Sequence, residues 1–175
     1  MKRIWICIFI LILEIVDVSC AVKRDDSLKT RVCEQTSSFD LCISIIDSDP
    51  NATTADIKGL ALIMVTAVPP YVQNALSLTN SVIKTTTDAT LKKKLFVCAK
   101  SFVPLLNSVL PQAAQAVNQK RFKNASDSIF YADKVIEDCN SQFFTPTQSP
   151  IIEKTSLAHG VLNVAEDILK QILTS

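Results

Sequence analysis

Four successive stretches of this chain place apolar residues three and four positions apart, and that spacing constrains its fold more than any other feature. Ile57, Leu60, Ala61, Met64, Val68, Tyr71, Ala75, Leu78 and Val82 make the first stretch. Leu91, Leu95, Cys98, Phe102, Leu105, Val109, Ala113 and Ala116 make the second. Phe122, Ala125, Ile129, Ala132, Ile136 and Cys139 make the third, and Ile151, Ala158, Leu162, Ala165, Leu169 and Ile172 the fourth. Residues at these intervals line one side of a 3.6-residue turn, so each stretch predicts an amphipathic helix with one stripe to bury. Glycine usage agrees: the chain holds two, Gly59 and Gly160, whereas all-β domains use glycine in their turns. The connections between stretches are short, which makes neighbouring helices antiparallel. The expected fold is all-α, an antiparallel up-down four-helix bundle over residues 53–175, with a short helical hairpin over residues 27–48 ahead of it.

Local signals set the expected boundaries. Thr53 stands three residues before Asp56, a capping-box variant that predicts the start of the first bundle helix. Asp88 suits the N-cap of the second, and Thr145, Pro146 and Pro150 interrupt the chain before the fourth. Pro69, Pro70, Pro104 and Pro111 fall inside helical patterns, where each removes a backbone donor and is expected to kink its helix.

The N-terminus reads as a leader. Lys2 and Arg3 precede an unbroken apolar run over residues 4–13, and small residues follow at Ser19, Cys20 and Ala21. That is the pattern of a signal peptide over residues 1–20, too short to span a bilayer. No other stretch is expected to cross a membrane, so the mature chain is expected to be soluble and secreted. Cys33, Cys42, Cys98 and Cys139 lie beyond the leader. An even set of cysteines in that context reads as a disulfide framework. Three connectivities are open to four cysteines, and the sequential one is favoured, with a short link in the hairpin and a long one across the bundle. Asn51-Ala52-Thr53 and Asn124-Ala125-Ser126 are acceptors for N-glycosylation in the same compartment.

Charge and motif chemistry exclude more than they assign. The leader carries two basic and two acidic residues, so the net charge stays at +1 without it. Nothing resembles the basic stripe of a nucleic-acid binder. The one dense basic run, Lys92-Lys93-Lys94, reads as the solvated side of a helix, with a polyanionic partner such as pectin as the lesser alternative. The single histidine, His159, has no catalytic partner evident in the sequence. Acidic pairs such as Glu137/Asp138 are expected at helix ends or in turns. The cysteines lack the spacing of a metal or redox site, and two isolated glycines form no phosphate loop. No metal, cofactor or enzymatic activity is expected, and a stapled helical bundle without chemistry points to a binding protein.

The order of motifs resembles the plant invertase/pectin methylesterase inhibitor family. Cys33-Glu34-Gln35-Thr36 opens the resemblance, followed by Leu41-Cys42, Ser48-Asp49-Pro50 and Ala55-Asp56-Ile57-Lys58-Gly59-Leu60-Ala61. Thr87-Asp88, Leu91-Lys92, Cys98 with Phe102, and the segment over residues 128–139 followed by Phe143 continue it over nearly the whole mature chain. The resemblance implies a hairpin plus four-helix bundle, sequential disulfides, and a protein that blocks the active-site cleft of a secreted enzyme by stoichiometric binding. With no esterase domain after Ser175, the inhibitor domain is expected to act alone. Two targets follow from the family: pectin methylesterase, which is favoured, and acid invertase. Invertase inhibitors carry a Pro-Lys-Phe segment before the third bundle helix, and Lys120-Arg121-Phe122 stands there without the proline. Lys120, Arg121 and Phe122, with the bulky Phe130 and Tyr131 where many members have alanine, are the candidate target-binding residues. The expected location is the extracellular cell wall, with the vacuole as the alternative. A carrier of small apolar ligands between kinked helices is a distant third reading.

Overall fold

The computed structural model describes residues 27–143 and 149–175; residues 1–26, which include the expected leader with Cys7 and Cys20, and residues 144–148 lie outside them. Six α-helices follow in order: α1 (Leu28–Cys33), α2 (Phe39–Asp47), α3 (Ile57–Thr85), α4 (Ala89–Asn118), α5 (Phe122–Ser141) and α6 (Ile152–Thr174). A single 3-10 turn, Ala52–Thr54, joins α2 to α3, and the described residues contain no strand. α3 packs most extensively on α6, α6 on α5, and α4 on both α3 and α5.

The cap of α3 corrects the expected boundary. Asp56, not Thr53, is the N-cap, its carboxylate accepting from the Gly59 amide at 2.8 Å. Thr53 belongs to the 3-10 turn, so its hydroxyl is one turn too early. Replacing Asp56 with Ala is expected to cost about 1 kcal/mol in urea unfolding, because the Gly59 amide then has only water. Asp88 caps α4 as expected, accepting from Thr90 and Leu91 at 2.8 and 3.1 Å.

Neither pair of interior prolines ends its helix. α3 runs through Pro69 and Pro70 as one helix. In α4, Pro104 is followed by a π-helical turn, Leu105–Val109, before α-helix resumes. A π turn adds a residue to the helical register. The buried series of α4 accordingly runs Leu95, Cys98, Phe102 and Leu105, then steps five residues to Leu110 before Ala113 and Val117. Strict spacing from the sequence places Val109 inward, but Val109 is only half-buried. α3 drifts in the same way: Tyr71, Leu78 and Val82 are half-buried, while Val72, Leu76, Thr79 and Ile83 are buried. A long straight helix touching neighbours on two sides turns its buried stripe gradually around its axis.

By length and composition, α3 and α4 are both apolar enough to cross a membrane, which corrects the expectation that no stretch beyond the leader is. In the fold, however, half of α3's most apolar window and a third of α4's are buried inside the protein, where they supply core residues such as Leu60, Met64, Leu95 and Phe102.

Two disulfides join Cys33 to Cys42 and Cys98 to Cys139, with Cα–Cα distances of 5.5 and 5.1 Å. The first closes the α1–α2 hairpin and the second ties α4 to α5. The hairpin docks on α6 through polar contacts as well as packing. The Ser37 amide donates to Asp167 at 2.8 Å, and the Gln171 side chain donates to the Val32 carbonyl at 3.0 Å. Gly160 permits this approach, since a Cβ there would meet Leu41 at 3.3 Å.

Candidate functional site

The turn between α4 and α5 carries three of the candidate binding residues. Lys120 is the one described non-glycine residue with positive φ, at 57°. Its amide bonds to the Val117 carbonyl at 2.9 Å, and the Arg121 amide bonds back to Ala116 at 2.8 Å. These are the paired 5→2 and 6→1 bonds of a Schellman cap, with lysine where glycine is usual. The cap leaves Lys120 and Arg121 exposed at the end of the bundle. Lys120→Gly is expected to raise stability by roughly 1 kcal/mol, because glycine adopts this conformation without a steric cost; urea denaturation reads the shift.

Phe122 differs from its neighbours in the turn. It begins α5 half-buried against the core, with the Lys58 ammonium of α3 6.0 Å from its ring centroid. Phe130 and Tyr131 lie two to three turns along α5, roughly 12 Å further at 1.5 Å per residue. They are 48% and 55% exposed, which makes them the largest apolar surface on α5. Lys134 stands 5.4 Å from the Phe130 ring centroid and also pairs with Glu137. The five candidates therefore form two groups on one helix and its entry turn, a basic turn and an aromatic pair.

Asn124 lies between them. It is exposed and lines an open recess of about 500 Å³ with Gln112, Gln115, Arg121, Asp127 and Ser128. Seven residues separate Asn124 from Tyr131, which puts both on one side of α5. Asn51, the other acceptor, is exposed in the turn after α2, its amide donating to Asp49.

One polar cluster escaped the sequence reading. Asp133 is buried on α5, and its carboxylate meets His159 Nδ1 on α6 at 2.6 Å. Asn163 meets the other ring nitrogen at 3.0 Å. Burial pushes the Asp133 carboxyl above its ordinary 3.8, and the bond to His159 opposes that rise. The sequence did hold a signal, since Asp133 falls between Ile129 and Ile136 on the buried stripe, where a carboxyl demands a partner. Glu137, expected at a helix end, sits within α5 and faces the same histidine. Asp133, Glu137 and His159 offer three metal-ligand types within 4.8 Å. Both histidine nitrogens and Glu137 are already engaged, so the cluster is a structural tie between α5 and α6. Beside it, Glu137, Asn140, Ser141, Phe143, Ser156 and His159 line an open recess of about 300 Å³. The interior between the helices is filled by side chains such as Phe102, Leu105, Ile129 and Ile168, all with no exposed area.

A model of the plant invertase/pectin methylesterase inhibitor family matches residues 27–172. The chain belongs to that family. This family member is 28% identical over 144 residues to a cell wall/vacuolar inhibitor of fructosidase 1 from Arabidopsis thaliana, spanning 82% of this chain and 68% of that one. To a second such inhibitor from the same plant it is 30% identical over 118 residues, spanning 63% and 62%. To the pectinesterase inhibitor of Actinidia deliciosa it is 23% identical over 133 residues, spanning 74% and 70%. Two crystal structures of pectin methylesterase inhibitors from Arabidopsis share the fold, at TM-scores of 0.68 and 0.61 with 13% and 14% identity. Each covers 83% of this chain, and the matches span 97% and 96% of those chains. These relatives are named as inhibitors rather than enzymes, and this family member stands among them.

Proposed function

We propose that this family member is a secreted inhibitor that binds pectin methylesterase over its active-site cleft, using the α4–α5 turn and the outer side of α5. The observation that carries the reading is the placement of Phe122. It is half-buried beneath Lys58 and lacks a preceding proline, so the turn presents charge instead of an inserting aromatic plug. The exposed anchors are Phe130 and Tyr131, amphipathic or apolar rings of the kind that dominate protein interfaces. Lys120 and Arg121 supply positive charge at the entry turn of the same helix, which assists encounter with a carboxylate-bearing cleft. The leader over residues 1–20 and the cell-wall and vacuolar names of the relatives support an extracellular or vacuolar location.

The test is a titration of purified protein against plant pectin methylesterase at mildly acidic pH, following methanol release. Stoichiometric loss of activity is expected, and Tyr131→Ala is expected to weaken inhibition about tenfold, the usual scale for one exposed aromatic anchor. No loss of activity at molar excess would defeat the reading. A glycan on Asn124, being on the Tyr131 side of α5, is expected to obstruct the same surface. Asn124→Gln protein from a glycosylating host should then inhibit at least as well as its parent.

A second reading has its own support. The two relatives named as inhibitors of fructosidase are 28% and 30% identical, against 23% for the pectinesterase inhibitor. Invertase in place of pectin methylesterase in the same titration separates the two. Inhibition of invertase that Phe122→Ala abolishes would assign the turn as a cleft plug.

A further inference from the structure

Helix α4 contains no aspartate or glutamate in its whole length, yet carries Lys92, Lys93, Lys94 and Lys100. In a chain with a net charge of only +1, that concentrates positive charge on one element. Lys94 turns towards Phe143, with its ammonium 5.8 Å from the ring centroid. Lys92, Lys93 and Lys100 form no ion pair with any carboxylate among the described residues. Between them stands Phe96, 54% exposed, with Val103 at 42% two turns beyond it. Lys92 and Lys93 precede Phe96 by four and three residues, and Lys100 follows by four, so all three flank its ring on the helix surface. Val103 continues the row at the seventh position. The row runs about 16 Å from Lys92 to Val103 at 1.5 Å per residue. Asp88 before the row is engaged as the N-cap, and Asp138 of α5 lines a groove with Val97 and Ser101.

We propose that this outward face of α4 binds a linear, carboxylate-bearing polysaccharide. The shape and composition of the row favour that partner over others. It is a single row along one helix, which suits an extended chain. A stable protein partner needs about 800 Å² per side with an aromatic or aliphatic centre, and lysine is depleted in such centres. A membrane surface needs a continuous apolar face, but the exposed apolar side chains of α4, Phe96, Val97 and Val103, are interrupted by Lys93 and Lys100. Lysines set a turn apart pair with successive carboxylates along the polymer, while the Phe96 ring offers a flat apolar surface to the C–H face of a sugar. The row includes none of the residues assigned to enzyme inhibition, so the inhibitor holds the polymer with one surface and its target with another.

Binding of the full mature protein to polygalacturonate tests this, with its fully methyl-esterified form and double-stranded DNA as comparisons. Saturable binding to polygalacturonate is expected, falling as salt rises because exposed charges are screened within about 8 Å at physiological ionic strength. The esterified polymer, which lacks the carboxylates, should bind at least ~tenfold more weakly. Lys92→Glu, Lys93→Glu and Lys100→Glu together should lower affinity for polygalacturonate at least ~tenfold. Phe96→Ala alone should lower it roughly fivefold. Both variants should keep the parent's helical circular dichroism and its potency in the enzyme titration. That titration and the polymer assay fail independently, since the binding measured here needs no enzyme. Equal binding of the esterified polymer, unchanged affinity in the charge-reversed variant, DNA bound as tightly as polygalacturonate, or no saturable binding would each overturn the proposal.

Discussion

Replacing Cys98 and Cys139 together by alanine is expected to cost about 4 kcal/mol of folding stability. The link closes a separation of 41 residues and joins α4 to α5, with both sulfurs buried. Most of the effect lies in the unfolded chain, which gains the freedom that the covalent loop denies it. The Cys33–Cys42 link closes a separation of nine residues, and its removal is expected to cost nearer 3 kcal/mol. Urea denaturation checks both. With a slope of about 2 kcal/mol per molar, the long-link variant should unfold about 2 M earlier. A shift below about 0.5 M would show that the unfolded chain keeps α4 and α5 together without the bond.

His159→Ala is expected to destabilise the protein by about 2 to 3 kcal/mol near neutral pH, because it leaves the buried Asp133 carboxylate without its histidine. The pH dependence gives the sharper test. Asp133 is already held above 3.8 by burial, against the opposing pull of His159. A carboxyl whose folded pKa lies above its unfolded value adds most stability at low pH and loses that contribution as pH rises through the folded pKa. Removing His159 takes away the opposing pull and lifts that pKa further. The variant's deficit should therefore be small at and below pH 3.8 and open as pH rises past it. Glu137 and Lys134 on α5 continue to act on the carboxyl in both proteins. Unfolding free energies of parent and variant across the acid range decide the matter. A deficit that stays constant with pH would reduce His159 to a packing role.

Much of the architecture was legible before any coordinates. The all-α fold, the hairpin and the order of helices follow from spacing and glycine scarcity, and the favoured one of three cysteine pairings is the one the fold adopts. Where the reading slipped, it did so for identifiable reasons. Thr53 and Asp56 both offer capping oxygens, and the 3-10 turn that takes Thr53 chooses between them. Val109 lost its inward place to Leu110 because the π turn after Pro104 adds a residue to the register. For the candidate site, the sequence supplied its residues but not their posture. Phe122 and Phe130 are the same residue type on one helix, yet one is half-buried beneath Lys58 and the other stands out beside Lys134.

Local backbone geometry repeats every few residues, so the sequence alone was enough to place the four long helices and the lysine-rich, acid-free run of α4. Contacts between residues distant in the chain have no such period. Only the packing of α5 on α6 could bring His159 to Asp133, and only the packing of α3 beside the α4–α5 turn could set Lys58 over Phe122. The same packing turned Lys94 towards Phe143 and left Phe96 outward among its lysines, because a bundle buries one side of each helix and the fold decides which neighbours share the rest.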